Sequence, residues 1–311
     1  MNKKHVAVLM GGWSSEREVS LSSGQGVVQA LMDLGYDVKP IDVKEDLPLL
    51  IQQLTQPQRP DVVFNALHGV GGEDGVIQGV LEMLRIPYTH SGVTASALAM
   101  NKILSRQLFE CHSIPVPVWQ VIPLAQLKKH HPMDFPYVIK PISEGSSRGV
   151  SLIFSQKDYE QALHEWNFGN HVLIEQYIPG REIHIAVVDD KAVGAIEIKP
   201  LSGFYDYRAK YTPGHADHLM PAPLTPEEHQ KVLEMAEKAH KLLGCRGISR
   251  ADFRYDDISS CPTFYLLEVN TQPGMTPLSL VPEITSYYGL SYNQLVEKLV
   301  ESASCHALTI P

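Results

Sequence analysis

The apolar run Val6–Met10 ends abruptly in Gly11-Gly12, and a helical pattern starts within a few residues of it. From Glu16 to Leu34 the apolar positions Val19, Val27, Leu31 and Leu34 fall near helical spacing, and Gly35 stands where a C-cap is expected. The order then recurs. The apolar run Asp61–Leu67 meets the glycine-rich stretch His68–Gly75, followed by a predicted helix to Leu84 and a strand around Pro87–Thr89. Strand, glycine loop and helix in repeated order predict an α/β domain on a largely parallel sheet. Ligands of such sheets bind in loops beyond the carboxyl ends of the strands, where both glycine stretches would lie. Neither stretch is a GxGxxG fingerprint, so a nicotinamide-dependent oxidoreductase has poor support.

Past a predicted helix around Ala95–Phe109, the stiff connection Ile114-Pro-Val-Pro117 marks a boundary, and from Tyr137 the pattern turns towards strands. Tyr137–Lys140 leads into the loop Ser143–Gly149, then a strand Val150–Phe154, a helix to about Trp166 and a strand Val172–Tyr177. Two hairpins are predicted: Arg181–Val188 with Ala192–Lys199 around Asp189-Asp190, and Ile248–Tyr255 with Thr263–Val269. Between them lie the loop Pro200–Pro223 and a long amphipathic helix to Leu243, and a last helix falls near Tyr292–Ser302. The Pro200–Pro223 loop is long for a compact domain, and its aromatics (Phe204, Tyr205, Tyr207, Tyr211) favour a lid over disorder.

Composition narrows the function. The 311 residues are 44% hydrophobic, enough for real cores in about two ordinary domains. A formal net charge of −9 offers no electrostatic footprint for nucleic acid or an anionic membrane. No apolar stretch approaches the roughly 18 residues of a membrane helix, and the N-terminal run is too short for a signal peptide. Cys111, Cys245, Cys261 and Cys305 stand alone, without metal or redox spacing. A soluble, cytoplasmic protein with reduced thiols is expected.

Side chains alternate faces along a strand, so Arg250 and Asp252 share one face of their strand, and Glu268 and Asn270 one face of its partner. If the hairpin is in register, an arginine, two carboxylates and an amide converge. Such oxygen ligands suit Mg²⁺ completed by substrate phosphates. A solvated sheet face is the plainer reading of any one residue; the set, beside Gly274, favours a metal–nucleotide site. Lys140 followed by Ser143–Gly149 can close over phosphates, or the loop is a simple turn; it is not a Walker P-loop. Glu175 and Glu182 bracket the turn Ile178-Pro179-Gly180 and could hold a ribose or adenine amino group, or face solvent.

Seven stretches in order resemble the D-alanine–D-alanine ligase family of the ATP-grasp superfamily. They are Gly11–Leu21 (GGWSSEREVSL), His68–Gly75 with Gln78-Gly79, Met100-Asn-Lys102, Glu144-Gly-Ser-Ser147, Phe204–Tyr211, Ser249-Arg-Ala-Asp252 and Leu267–Met275 (LEVNTQPGM). The resemblance implies an N-terminal parallel-sheet pre-ATP-grasp domain (1–98) followed by a two-part ATP-grasp fold. The latter has a central subdomain (99–181) and a C-terminal subdomain (182–311) carrying the metal site and a lid loop, 200–223. It implies that ATP phosphorylates the carboxylate of one D-alanine, and that the amine of a second attacks the acyl phosphate, supplying peptidoglycan synthesis. Glu16 would bind the ammonium of the first D-alanine, with His68 nearby. Ser146 and Tyr211 would help deprotonate the attacking amine. Lys102, Lys140 and Lys210 would bind phosphates, and Glu175 and Glu182 the adenine and ribose. Asp252, Glu268 and Asn270 would hold two Mg²⁺, with Mn²⁺ as a substitute. Arg250 and the Gly274 N–H would stabilise the oxyanion, and Ser279 would take the second carboxylate, unless it only caps the following helix. A homodimer is implied as well.

Two departures bear on the lid and on nucleotide affinity: Arg148 in the central loop, and Gly214-His-Ala-Asp-His218 on the far side of the lid. The rivals are a ligase joining D-alanine to D-lactate or D-serine and a non-catalytic nucleotide-binding relative. In the first case Tyr211, from which the family's depsipeptide-forming members depart, favours D-alanine as second substrate. Against the second speak Arg250 and the intact metal ligands Asp252, Glu268 and Asn270.

Overall fold

The computed structural model describes residues 3–200 and 216–306. The chain opens with β1 (His5–Gly11), α1 (Arg17–Asp33), β2 (Asp37–Val43), α2 (Leu47–Thr55), β3 (Val62–Asn65) and α3 (Val76–Leu84). The three strands form a parallel sheet in the order β2-β1-β3, as the repeated strand–loop–helix order predicts. β2 leaves little trace in the apolar pattern, whereas α2 carries it at Leu47, Leu50, Ile51 and Leu54 behind the Asp46 cap. β2 is an edge strand containing Pro40, and only Ile41 and Val43 on it are buried. The strand expected around Pro87–Thr89 reduces to Tyr88, which bridges Val63 on one side and Ser304 on the other. His90, at φ 68°, then turns the chain out of extended backbone.

The single helix expected around Ala95–Phe109 is two, α4 (Val93–Met100) and α5 (Lys102–Cys111). Asn101 between them is extended, and its side chain accepts from the amides of Ile103 (3.1 Å) and Leu104 (3.2 Å). An asparagine cap of this kind satisfies helix donors that otherwise lack partners. It also makes Lys102 the first residue of α5.

A four-stranded antiparallel sheet, ordered β4-β7-β5-β6, follows from β4 (Trp119–Pro123), β5 (Tyr137–Lys140), β6 (Ser151–Ile153) and β7 (His171–Gln176), with helices α6 (Leu124–Leu127) and α7 (Gln156–Glu165). A five-stranded antiparallel sheet, ordered β10-β9-β8-β11-β12, uses β8 (Arg181–Val188), β9 (Lys191–Pro200), β10 (Ala216–Leu219), β11 (Ile248–Asp256) and β12 (Thr263–Asn270). Both predicted hairpins are present in it. Helix α8 (Pro226–Leu243) starts in a Thr225/Glu228 capping box, ends at Gly244 with φ 72°, and lays Val232, Ala236, Ala239 and Leu243 against Ile183, Ile185 and Phe253.

Two last helices, α9 (Leu280–Tyr287) and α10 (Tyr292–Glu301), return to the start of the chain. Val281, Ile284, Leu295 and Leu299 share one core with Val6, Val8, Leu31 and Phe64, and with Ala186, Val188 and Ile198 of the five-stranded sheet. That shared core fixes the N-terminal glycine loops against the hairpin that carries the candidate ligands. Among the described residues, no helix is long and apolar enough to cross a membrane.

Candidate active site

The register of β11 and β12 sets Arg250 opposite Asn270 and Asp252 opposite Glu268, with a bulge just after Asp252. The four groups therefore do converge. Asp252 is buried. Its Oδ1 accepts from Arg250 Nε (2.7 Å) and His184 Nδ1 (2.7 Å), and its Oδ2 from Arg250 Nη2 (2.8 Å) and Asn270 Nδ2 (3.0 Å). Burial opposes ionisation of Asp252, but Arg250 and His184 outweigh it and hold the carboxyl far below its usual range. Burial also disfavours charge on His184, yet Asp252 and Glu182 raise its pKa. Glu268 Oε2 lies 3.5 Å from Lys102 Nζ, which also donates to the Glu144 carbonyl (2.5 Å).

A cleft of about 280 Å³ opens between the two antiparallel sheets. Its apolar walls include Val138, Leu152, Ile178 and Leu267, and Lys102, Lys140, Glu182, Asp252 and Glu268 reach it from the polar side. An apolar slot with a few convergent charges suits a flat ring carrying an anionic tail. Glu175 does not face solvent. It is buried beside the cleft with Lys140 Nζ 2.5 Å from Oε1 and Arg106 hydrogen-bonded to Oε2. Burial lowers Lys140 to about 8 against the attraction of Glu175, with Arg106 pushing the same way. Burial likewise resists charge on Glu175, but Arg106 and Lys140 keep its pKa below the usual value.

A smaller cavity of about 50 Å³ lies next to the cleft, walled by Glu16, His68, Ser146, Arg250, Gly274 and Ser279. Glu268 borders both spaces. Glu16 sits at the N-cap of α1, buried, and accepts a hydrogen bond from the Ser146 hydroxyl. Ser146 and Ser147 take left-handed backbone, φ 48° and 58°, which folds the central loop over α1. His68 is buried, with Nε2 3.3 Å from Ser23 Oγ and Nδ1 3.9 Å from Glu73 Oε2. The Ser279 hydroxyl makes no cap on α9. It turns back to accept from the Thr276 amide (2.9 Å). A Cβ on Gly274 would come 2.7 Å from Ser279 Oγ, so a side chain there would push that hydroxyl off the Thr276 amide. Lys210, Tyr211 and the aromatics of the expected lid lie outside the described residues.

Three contributors escaped the sequence reading. Arg106 follows Lys102 by four positions on α5, and His184 follows Glu182 by two on β8; each spacing puts the pair on one face. Gln272 donates to the Leu67 carbonyl and accepts from Asn65 Nδ2 (2.8 Å), stitching the His68 loop to the Gly274 loop. Only the pairing across 207 positions reveals that role.

The family described as D-ala D-ala ligase C-terminus matches residues 108–301, and that described as D-ala D-ala ligase N-terminus matches residues 48–91. The chain belongs to the D-alanine–D-alanine ligase family. Curated members of the ligase family resemble it over their whole length. The D-alanine–D-alanine ligase of Parvibaculum lavamentivorans is 52% identical over 97% of this chain and 98% of its own, and that of Chelativorans sp. 49% over 98% and 99%. Among solved structures, the ligase of Bacillus anthracis complexed with ATP superposes with a TM-score of 0.80 at 31% identity, covering 99% of this chain and 98% of that one. The ATP-grasp architecture expected of the ligase family is the one observed.

Proposed function

We infer that this chain is a D-alanine–D-alanine ligase, joining two D-alanines at the expense of ATP to give D-alanyl-D-alanine, ADP and phosphate for peptidoglycan precursor synthesis. The observation that carries the reading is Glu268, which borders both the 280 Å³ cleft and the small cavity walled by Glu16, Ser146 and Arg250. A phosphoryl donor in the first and a small zwitterion in the second would meet at that carboxylate.

ATP would lie with its ring in the apolar slot and its phosphates towards Lys102 and Lys140, with Lys210 added from the lid loop. Glu182 faces the ribose side. Glu175, its charge already balanced by Arg106 and Lys140, acts on the nucleotide through the lysine. Asp252, Glu268 and Asn270 are oxygen donors at adjacent register positions, a set that fits hard cations. Among the described residues no three His, Cys, Asp or Glu side chains form a ready cage; phosphate oxygens and water would fill the remaining places, as Mg²⁺ prefers. Two Mg²⁺, or Mn²⁺ in their stead, would neutralise charge developing on the transferred phosphoryl group.

Glu16 would take the ammonium of the first D-alanine, beside His68. Ser146, bonded to Glu16, would help the attacking amine lose its proton, together with Tyr211 of the lid loop. Arg250 and the Gly274 N–H would meet the oxyanion of the tetrahedral intermediate, each such donor being worth about 3 kcal/mol. Ser279 would receive the carboxylate of the second D-alanine. The three-part division at about residues 98 and 181, a homodimer and a cytoplasmic location complete the proposal; light scattering tests the dimer.

The deciding experiment is ADP release with Mg²⁺–ATP and D-alanine, with L-alanine as control. Release that requires the D-isomer and yields the dipeptide is expected. Release with neither isomer overturns the assignment.

A further inference from the structure

One buried imidazole joins the two carboxylates that line the nucleotide cleft from β8 and β11. Glu182 and His184 are two apart on β8 and leave the same face. The register sets His184 opposite Asp252 and Glu182 opposite Arg254. The ring is 1% exposed; Nδ1 is 2.7 Å from Asp252 Oδ1 and Nε2 is 3.1 Å from Glu182 Oε1. Carboxylates only accept, and the flat ring has no internal torsion, so it spans the two groups at fixed length. Close packing around it leaves no slack for one carboxylate to move without the other.

We propose that His184 is a positioning residue that couples the grip on the ribose side of the nucleotide to the grip on the divalent cation. The inference rests on the nucleotide–cation reading of this cleft. Holding Glu182 holds the ring, and the ring orients the Asp252 carboxylate, on which a cation would take the place of one of the Arg250 or Asn270 contacts. The converse follows by linkage, since each ligand must favour the other by the same factor. This coupling runs through protein and adds to any direct contact between cation and phosphate.

Adenosine separates the two routes, because it reaches the ribose side and carries no phosphate. Isothermal titration of the full chain is expected to show adenosine binding tightened about fivefold or more by saturating Mg²⁺, within the usual range of such couplings. Two single-arm variants follow. The amide nitrogen of His184→Asn falls near Nδ1 and keeps the Asp252 contact, whereas that of His184→Gln falls near Nε2 and keeps Glu182. Bridging predicts that both lose the Mg²⁺ effect to within about twofold. Retention of the full effect in either folded variant overturns the proposal, as does a wild-type protein whose adenosine affinity ignores Mg²⁺, or which binds ADP and no adenosine. Loss of ADP binding altogether overturns the nucleotide reading instead. Should neither variant fold, the wild-type titration decides alone.

Discussion

Glu175→Gln would leave two buried cations facing one another. Lys140 Nζ lies 2.5 Å from one Glu175 oxygen, and Arg106 is bonded to the other. The three side chains are 7%, 5% and 0% exposed in the order Lys140, Glu175, Arg106, so salt screens them little. At an effective dielectric near 20, opposite charges 2.5 Å apart attract by about 7 kcal/mol. Desolvation of the ions offsets most of this, and deleting one partner of a buried pair typically costs about 3–5 kcal/mol. A fall of about 10 °C in melting temperature is the expected scale. Lys140 can relieve the strain by shedding its proton. Burial and Arg106 already press it down to about 8, and without Glu175 it falls further. At about pH 7.5 a neutral lysine faces the phosphates, and the KM for ATP should rise roughly tenfold, or about 1.4 kcal/mol. The compensating change is Arg106→Met. The double variant Arg106→Met/Glu175→Gln should be more stable than the sum of the single losses, by well over the roughly 0.5 kcal/mol that marks additivity. Additive losses would show that the charges are not coupled and refute the argument.

Glu268→Gln should abolish ADP release while leaving the melting temperature within a few degrees, because the cation site loses charge where phosphate moves; full activity at ordinary Mg²⁺ would sink the ligand assignment. Gly274→Ala drives a Cβ to 2.7 Å from Ser279 Oγ, so kcat/KM for D-alanine should fall about tenfold or more with ADP affinity unchanged; wild-type kinetics would remove this loop from the substrate site. His90 is buried; desolvation, then His68 and Arg246, hold it down to about 3 against an ordinary 6.5. The folded state thus refuses a proton that the unfolded chain accepts. Stability is complete above pH 6.5 and falls as pH drops towards 3, by at most about 1.4 kcal/mol per pH unit from this group. His90→Asn should flatten the acid limb of denaturant midpoint against pH, and an unchanged limb would mean that His90 titrates elsewhere.

Much of the site was legible because its parts are local. Two-residue alternation put Arg250 with Asp252 and Glu268 with Asn270, and glycine stretches after apolar runs marked the loops. Helices α1 and α8 announced themselves by apolar spacing, and Gly35 marked the end of α1. Other elements had no such signature. β2 carries Pro40 and buries only Ile41 and Val43, and the break at Asn101 needed the cap to be seen forming. Glu175 read equally well as a nucleotide ligand or a solvated charge until Arg106 and Lys140 closed on it.

Sequence by itself thus determined which residues share a strand face or open a helix, since periodicity and capping act over a few positions. Tertiary structure decided which faces meet. Glu16 and Ser146 lie 130 positions apart, Asn65 and Gln272 207, and His184 and Asp252 68. No local preference encodes such pairings. They follow from the shared core that packs α9 and α10 onto the N-terminal sheet and from the strand order that seats β11 beside β8, because burying those apolar faces together leaves the polar groups between them one arrangement in which to be satisfied.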